Sequence, residues 1–498
     1  MGRTSKRQFR RGKHKPPASG RRPSSRLTQR DVEASADELV AFHRWFQPLF
    51  QRREQRQWSA FYLCGQLANL ERKTIEPMIL ALKGPDVNTM RAVQQFIGQG
   101  KWEAQTILVR SQQLVAEWLG EPDGVVIVDG SGFPKRGAYS VGVAPQYCGH
   151  LGKVANCQEG VFIVYVSSRG YTFLDERLYL PQCWFGEDYH ERWQRCGLPD
   201  DLRFQTEPEL GLEMIRPLVS HGVVPFRWVT ADAHFGENPA FLDDLSALGK
   251  WYLVEVPANT RVWLRPPTVE PPGRGLLGRP RTRPRVARNA PRPHEVRELA
   301  AGLPKSKWTR QTIQEGSKGP LVAEFAFLRA TTIRDRLPGP RVWVVFRRTV
   351  GPQPELKFYF SNAPTTCPRR ELIRVSGLRW PIETALEEGK GEVGMDHYET
   401  RSWPGWHHHM AQTFLAHLFL MRLRILFQKK SGTDHGASPP VDRASHRGGQ
   451  RSPTRRPGHR PLPSTAKSRS LLFASRAYTQ TLLSSPFSVP ERQSLGVG

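Results

Sequence analysis

Residue types suited to phosphate chemistry meet in the stretch Arg379-Trp-Pro-Ile-Glu383-Thr-Ala-Leu-Glu387-Glu-Gly-Lys390. Pro381 fixes φ and lacks an N–H, so it suits the first position of a helix and keeps Trp380 out of α geometry. A helix starting there carries Glu383, Glu387 and Lys390 at i, i+4 and i+7 on one face, with Arg379 on the turn before it. A carboxylate flanked by an arginine and a lysine can hold a divalent metal beside a phosphate, or form a surface salt-bridge face.

Two more acids stand where strands should end. Gly124-Val-Val-Ile-Val-Asp129 is a continuous apolar run, the pattern of a buried central strand, and Phe226–Ala231 is a second strand running into Asp232. In an open α/β sheet, reactive groups gather outside the carboxyl ends of strands, so neighbouring strands would bring Asp129 and Asp232 into one site. Carboxylate oxygens are hard ligands suited to Mg²⁺ or Mn²⁺. Two such ions about 3.5–4 Å apart can activate an attacking oxygen and stabilise a leaving one at phosphorus. Arg379 would meet phosphate oxygens with its planar fork and Lys390 as a point charge. Weaker candidates are Lys135, for the DNA backbone, and Trp308 and Trp343, for stacking on an extruded base. His407-His-His409 cannot converge on one metal, because adjacent residues face different ways on a helix; surface groups near DNA are expected there.

The elements that must position these residues follow from the pattern along the chain. Residues 1–33 are expected to be a disordered basic arm, and 34–120 a helical, DNA-binding domain with segments near 36–50, 58–67, 71–82, 89–99 and 101–118. Residues 121–256 form the first part of an α/β core, with strands at 124–129, 139–143, 160–166, 226–231 and 251–256 and helices between the later ones. Residues 257–365 read as a β-rich insertion carrying a Pro- and Arg-rich loop. Residues 366–430 return to the core with the glutamate helix and a C-terminal helix, and 431–498 are a low-complexity tail. The apolar helix from Met410 to Phe427 is broken by Gln412, His417, Arg422 and Arg424, so it is expected to be buried and not to cross a membrane.

Composition narrows the partners. The 498 residues carry a formal charge of +27, which favours a polyanion such as nucleic acid. The six cysteines form no Cys-x-x-Cys pair, and Cys148, His150 and Cys157 match no familiar zinc spacing, so a reducing cytoplasm fits best.

The order Asp129, Asp232, Glu383, with Arg-x3-Glu-x6-Lys around the glutamate, resembles bacterial insertion-sequence transposases of the DDE class. It is most similar to the branch with a Tyr-x2-Arg-x3-Glu-x6-Lys signature and a β-strand insertion domain. Asp129-Gly-Ser-Gly-Phe-Pro-Lys135, Ser140-Val-Gly-Val143, Gln146-Tyr-Cys-Gly149, Asn156-Cys-Gln158, Leu178-Tyr-Leu-Pro181 and Asp396-His-Tyr-Glu-Thr-Arg401 extend the match. The resemblance implies a ribonuclease-H-like mixed sheet flanked by helices and interrupted by the insertion. Asp129, Asp232 and Glu383 would ligate two Mg²⁺ ions, with Mn²⁺ able to substitute. It further implies cut-and-paste transposition: cleavage at terminal inverted repeats and strand transfer to target DNA by a dimer or larger synaptic assembly, in a bacterial cytoplasm at the nucleoid. The signature's tyrosine position is Ser376 here. Two other readings are a catalytically decayed transposase that only binds DNA and a related ribonuclease-H-like DNA nuclease.

Overall fold

The computed structural model describes residues 29–273, 281–316 and 319–433. Most of the expected basic arm, the centre of the Pro- and Arg-rich loop and the tail after residue 433 lie outside the described residues. The fold is mixed α/β.

Helices come first: α1 (Gln29–Arg44), α2 (Arg53–Leu67), α3 (Ile75–Leu82), α4 (Val87–Gln99) and α5 (Ala104–Leu119). Local chemistry sets their ends. Gly84, at φ +84, turns the chain after α3, and the Asp86 side chain accepts the N–H groups of Asn88 and Thr89 to cap α4.

The first sheet holds β1 (Val125–Pro134), β2 (Ala144–Cys148), β3 (Lys153–Ser167) and β4 (Gly170–Tyr179). After α6 (His190–Cys196) and α7 (Glu207–His221) come β5 (Trp228–Ala231), α8 (Ala233–Gly236), α9 (Pro239–Ala247) and β6 (Trp251–Tyr252). The spatial order is β4-β3-β1-β5-β6, with β2 also on β3. The first three pair antiparallel, as hairpins do; β1, β5 and β6 run parallel, which requires the helical crossovers. Val125–Val128 and Val161–Val166 are fully buried, which explains their unbroken apolar runs.

Three details depart from the sequence reading. Residues 139–143 form a loop, turned by Gly142 at φ +71, and the strand follows at Ala144. β4 escapes the pattern because it buries Asp175 and Glu176. The single strand expected at 251–256 is two: Trp251 and Tyr252 pair with β5, whereas β7 (Val254–Val256) belongs to another sheet.

After β7 come short paired strands β8 (Arg261–Val262), β9 (Val269–Glu270), β10 (Arg285–Val286) and β11 (His294–Glu295), then helix α10 (Val296–Ala301). The second sheet is completed by β12 (Thr309–Gly316), β13 (Gly319–Arg334), β14 (Leu337–Thr349) and β15 (Leu356–Ser361), in the order β12-β13-β14-β15-β7. Trp343 packs in its core. α11 (Arg369–Ser376), α12 (Trp380–Val393) and α13 (Trp403–Thr433) follow.

α13 ties the chain's two ends together. By length and composition residues 403–427 could cross a membrane, yet most of that stretch is buried inside the protein. Phe419 meets Phe42 at 5.4 Å between ring centroids, Gln66 donates to Thr413 at 2.7 Å, and Gln412 donates to Ser59 at 3.0 Å. Each fully buried aromatic here contributes about 1.5–3 kcal/mol. The three histidines expected at the surface point inward instead. His407 Nδ1 lies 2.8 Å from Glu176 Oε1, His408 stacks on Trp102 at 3.9 Å, and His409 sits between Tyr62 Oη and the Met395 carbonyl. α13 is enclosed on nearly all sides, so it has little outer face to present them on.

Candidate active site

Parallel pairing of β1 with β5 ends at Val128 and Ala231, so Asp129 and Asp232 are the next residues on neighbouring strands. β1 does not stop there: on its other edge it stays paired to β3 as far as Pro134. Asp129 is thus at a strand end on one side and mid-strand on the other. Asp232 caps α8, its Oδ1 accepting the N–H groups of His234 at 3.0 Å and Phe235 at 3.3 Å.

On α12, Glu383 and Glu387 are exposed and Lys390 is half-buried. Pro381 is the second residue of the helix and Trp380 the first; any first-turn position suits proline, because N–H groups there have no intrahelical acceptor. The three acids share one electrostatic field. Burial raises the Asp129 carboxyl to about 7, with the charges of Asp232 and Glu383 adding to the effect and Arg379 and the Gly130 N–H opposing it.

Arg379 stands among these acids. Its Nη2 is 3.7 Å from Asp129 Oδ2 and its Nη1 3.2 Å from Glu255 Oε2, while its buried Nε has no hydrogen-bond partner. Burial disfavours the guanidinium, but Asp129, Asp232, Glu255 and Glu383 outweigh it and hold its pKa above the usual arginine value. Glu255, on β7, was not apparent from the sequence. One backbone approach seats it: a Cβ on Gly236 would lie 1.9 Å from the Glu255 carbonyl oxygen, so only glycine lets α8 close on β7.

Two further acids flank the site without having been foreseen. Glu159 on β3 lies over Gly130 and Gly132, where added Cβ atoms would meet its carboxylate at 3.1 and 2.9 Å. Burial and then Glu207 raise its carboxyl to about 8, against the pull of Lys390. Glu207 is raised by burial and by Asp232, with His234 opposing from 3.8 Å. The signal available was the Gly-x-Gly after Asp129, which clears space beside the strand.

The remaining candidates spread out. Lys390 donates to the Gly132 carbonyl at 3.1 Å and covers the Phe133 ring, fastening α12 to β1. Lys135 lies six residues past Asp129, about 20 Å along an extended strand. Its ammonium sits 3.3 Å from the Tyr398 ring centroid, and burial lowers its pKa to about 8. Trp308 is half-buried beneath the Arg348 guanidinium, 4.1 Å from its ring. Ser376 is buried, its hydroxyl donating to the Ile373 carbonyl at 2.7 Å.

Among the described residues no group of three or more His, Cys, Asp or Glu side chains is drawn close enough to hold a metal ion. The donor chemistry of Asp129, Asp232 and Glu383 nevertheless fits a hard divalent cation. All three offer hard oxygen donors, and the Arg379 charge opposes the repulsion that Asp232 and Glu383 exert on Asp129.

The chain is mixed α/β, with two carboxylates at the ends of neighbouring strands and a helix glutamate in the same electrostatic field. Residues 45–320 match the DDE superfamily endonuclease family, more than half of the sequence, and the chain belongs to that family. The match contains Asp129 and Asp232; Glu383 lies beyond it. Over 364 residues the chain is 26% identical to the probable transposase for insertion sequence element IS701 of Microchaete diplosiphon, covering 72% of this chain and 81% of that one. Likenesses to solved structures are remote. A piggyBac transposase synaptic complex with hairpin DNA aligns at TM-score 0.37 and 9% identity over 94% of this chain and 80% of that one. The NurA nuclease from Sulfolobus solfataricus aligns at 0.24 and 13% over 67% and 94%.

Proposed function

We infer that the chain is an insertion-sequence transposase that cleaves a phosphodiester at each end of its element and joins the freed 3′-OH to target DNA. The observation carrying this is the adjacency of Asp129 and Asp232 on parallel neighbours, with Glu383 in the same field, in a member of the DDE superfamily. The order β4-β3-β1-β5-β6 supports a ribonuclease-H-like core, and the second sheet between Asp232 and Glu383 supports the branch with a β-strand insertion.

Asp129, Asp232 and Glu383 would hold Mg²⁺, or Mn²⁺ in its place. When bound, two such ions activate the attacking oxygen and stabilise the leaving one. The chain's own groups supply the rest. Glu255 engages one end of the Arg379 fork and keeps it 3.7 Å from Asp129, short of a closed pair, so the guanidinium is ready for a phosphate oxygen. Lys390 anchors the glutamate helix to the strand that carries Asp129. Cleavage at terminal inverted repeats, a dimer or larger synaptic assembly, and action at the bacterial nucleoid belong to the same proposal.

The test replaces Asp129, Asp232 or Glu383 singly by Ala and assays cleavage of DNA bearing the element's own termini in Mg²⁺. Loss of cleavage in all three is expected; full cleavage in any one removes that residue from the set. Cleavage without strand-transfer products would instead mark a nuclease, and salt-sensitive binding without cleavage a decayed enzyme.

A further inference from the structure

A cavity of about 510 Å³ opens between α4, α6, the loop joining β1 to β2, and residues 400–402. Its size is that of a small-ligand site, but its lining is basic and polar. Arg91 and glutamines including Gln95 and Gln99 come from α4, Arg195 from α6, Arg401 from the segment before α13, and Tyr139 from the loop. Tyr139 is 52% exposed, unusual for an aromatic residue inside a concave wall.

Three arginines share this lining. Elsewhere Arg216, Arg334 and Arg348 pair with Asp244, Asp243 and Glu324. Among the described residues no carboxylate pairs with Arg91, Arg195 or Arg401. Arg195 is held by a ring: its guanidinium lies 4.9 Å from the Tyr139 centroid, with Arg192 at 6.0 Å from the same ring and 4.7 Å from Tyr189. A guanidinium resting against a ring keeps N–H donors for another acceptor. Unpaired like charges in one concavity repel, so the arrangement gains most when an anion enters.

The walls are fastened to one another. Ser402 Oγ donates to the Gly98 carbonyl at 2.8 Å, the Val141 N–H to the Arg401 carbonyl at 2.9 Å, and Cys196 Sγ to the Tyr139 carbonyl at 3.5 Å. The site is therefore prebuilt from four separate parts of the sequence. One wall is also the continuation of β1, the strand that carries Asp129.

We propose that this cavity binds the sugar–phosphate backbone of DNA, the arginine forks taking phosphate oxygens and the glutamine amides the sugar and phosphate edges. The choice of DNA as the polyanion rests on the transposase reading. Such contacts carry no sequence information themselves; they set where the duplex lies relative to the acids.

The experiment measures binding of a labelled duplex by anisotropy in EDTA across a salt series, so that cleavage plays no part. Arg91→Gln, Arg195→Gln and Arg401→Gln should each lower the slope of log K against log salt by about 0.9, one phosphate contact apiece. The triple variant should bind at least about tenfold more weakly at low salt, with Arg401→Lys keeping most of the slope. If the triple variant does not fold, the three single variants are read alone against their melting temperatures. An unchanged slope in folded variants overturns the proposal while leaving the transposase reading intact. The expected slopes in a wild-type protein that cannot cut its own termini would instead remove that reading and leave the cavity.

Discussion

Arg379 reaches two carboxylates at unequal range, Glu255 at 3.2 Å and Asp129 at 3.7 Å, and the shorter contact is to the residue outside the acidic triad. Glu255 also takes the ammonium of Lys357 at 3.4 Å. The arginine is thus restrained from the second sheet while facing the first. A fork drawn fully onto Asp129 would neutralise the acid that the proposed chemistry needs.

Removing Glu255 should therefore let Arg379 close on Asp129. Glu255→Ala is expected to raise the Mg²⁺ concentration for half-maximal cleavage several-fold, with maximal rate changed less. A metal titration of cleavage, beside Arg379→Ala/Glu255→Ala, measures it; an unaltered midpoint means that Glu255 does not restrain the arginine.

Arg379 itself should be sensitive to shape as well as charge. Arg379→Ala is expected to slow cleavage by at least about 100-fold, the scale for losing a donor to developing charge. Arg379→Lys should keep the melting temperature nearer wild type yet recover little of the rate, because an ammonium cannot replace a planar fork. Single-turnover rates on terminal DNA check both.

The buried pair behind the glutamate helix makes stability depend on acid. Glu388 on α12 accepts from Arg424 Nη2 at 2.6 Å and from Tyr171 at 3.1 Å, with the His417 ring 3.4 Å away. Burial alone would raise its carboxyl, but these neighbours pull it from 4.5 down to about 2. Stabilisation from this group is therefore complete above about pH 4.5 and is lost as pH falls towards 2. Melting curves should show wild type exceeding Glu388→Gln at neutral pH, with the gap closing across that window. Glu388→Ala should cost about 3–5 kcal/mol by stranding Arg424.

Gly236→Ala tests the close approach of α8 to β7. Its Cβ would fall on the Glu255 carbonyl, so a loss of about 1–3 kcal/mol in urea unfolding is expected. Because this contact lies between Asp232 and Glu255, cleavage should fall by more than the unfolded fraction explains.

The candidate site is legible in the sequence where chemistry and local periodicity coincide. Val125–Val128 can only be a central strand, so Asp129 is placed by what precedes it, and Glu383 is placed by a helix whose start Pro381 announces. Glu255 had no such mark: it is one acid in an alternating strand, and its role arises from a change of sheet at Leu253 that no local pattern encodes. Glu159 and Glu207 are likewise brought together from β3 and α7. β4 was missed for the opposite reason. Asp175 and Glu176 read as solvent-facing, whereas Arg177 at 2.9 Å and His407 at 2.8 Å let them lie in the interior.

The crossing at Leu253 also shapes what this enzyme can tolerate over generations. β7 leaves the first sheet and β15 pairs back onto it, Glu255 opposite Tyr359, so the detour of about a hundred residues has its entrance and exit laced side by side. Loops within that detour can lengthen, shrink or be exchanged without altering the distance from Asp232 to Glu383. The intervening strands and loops can therefore diverge while the spacing of the detour's two ends holds.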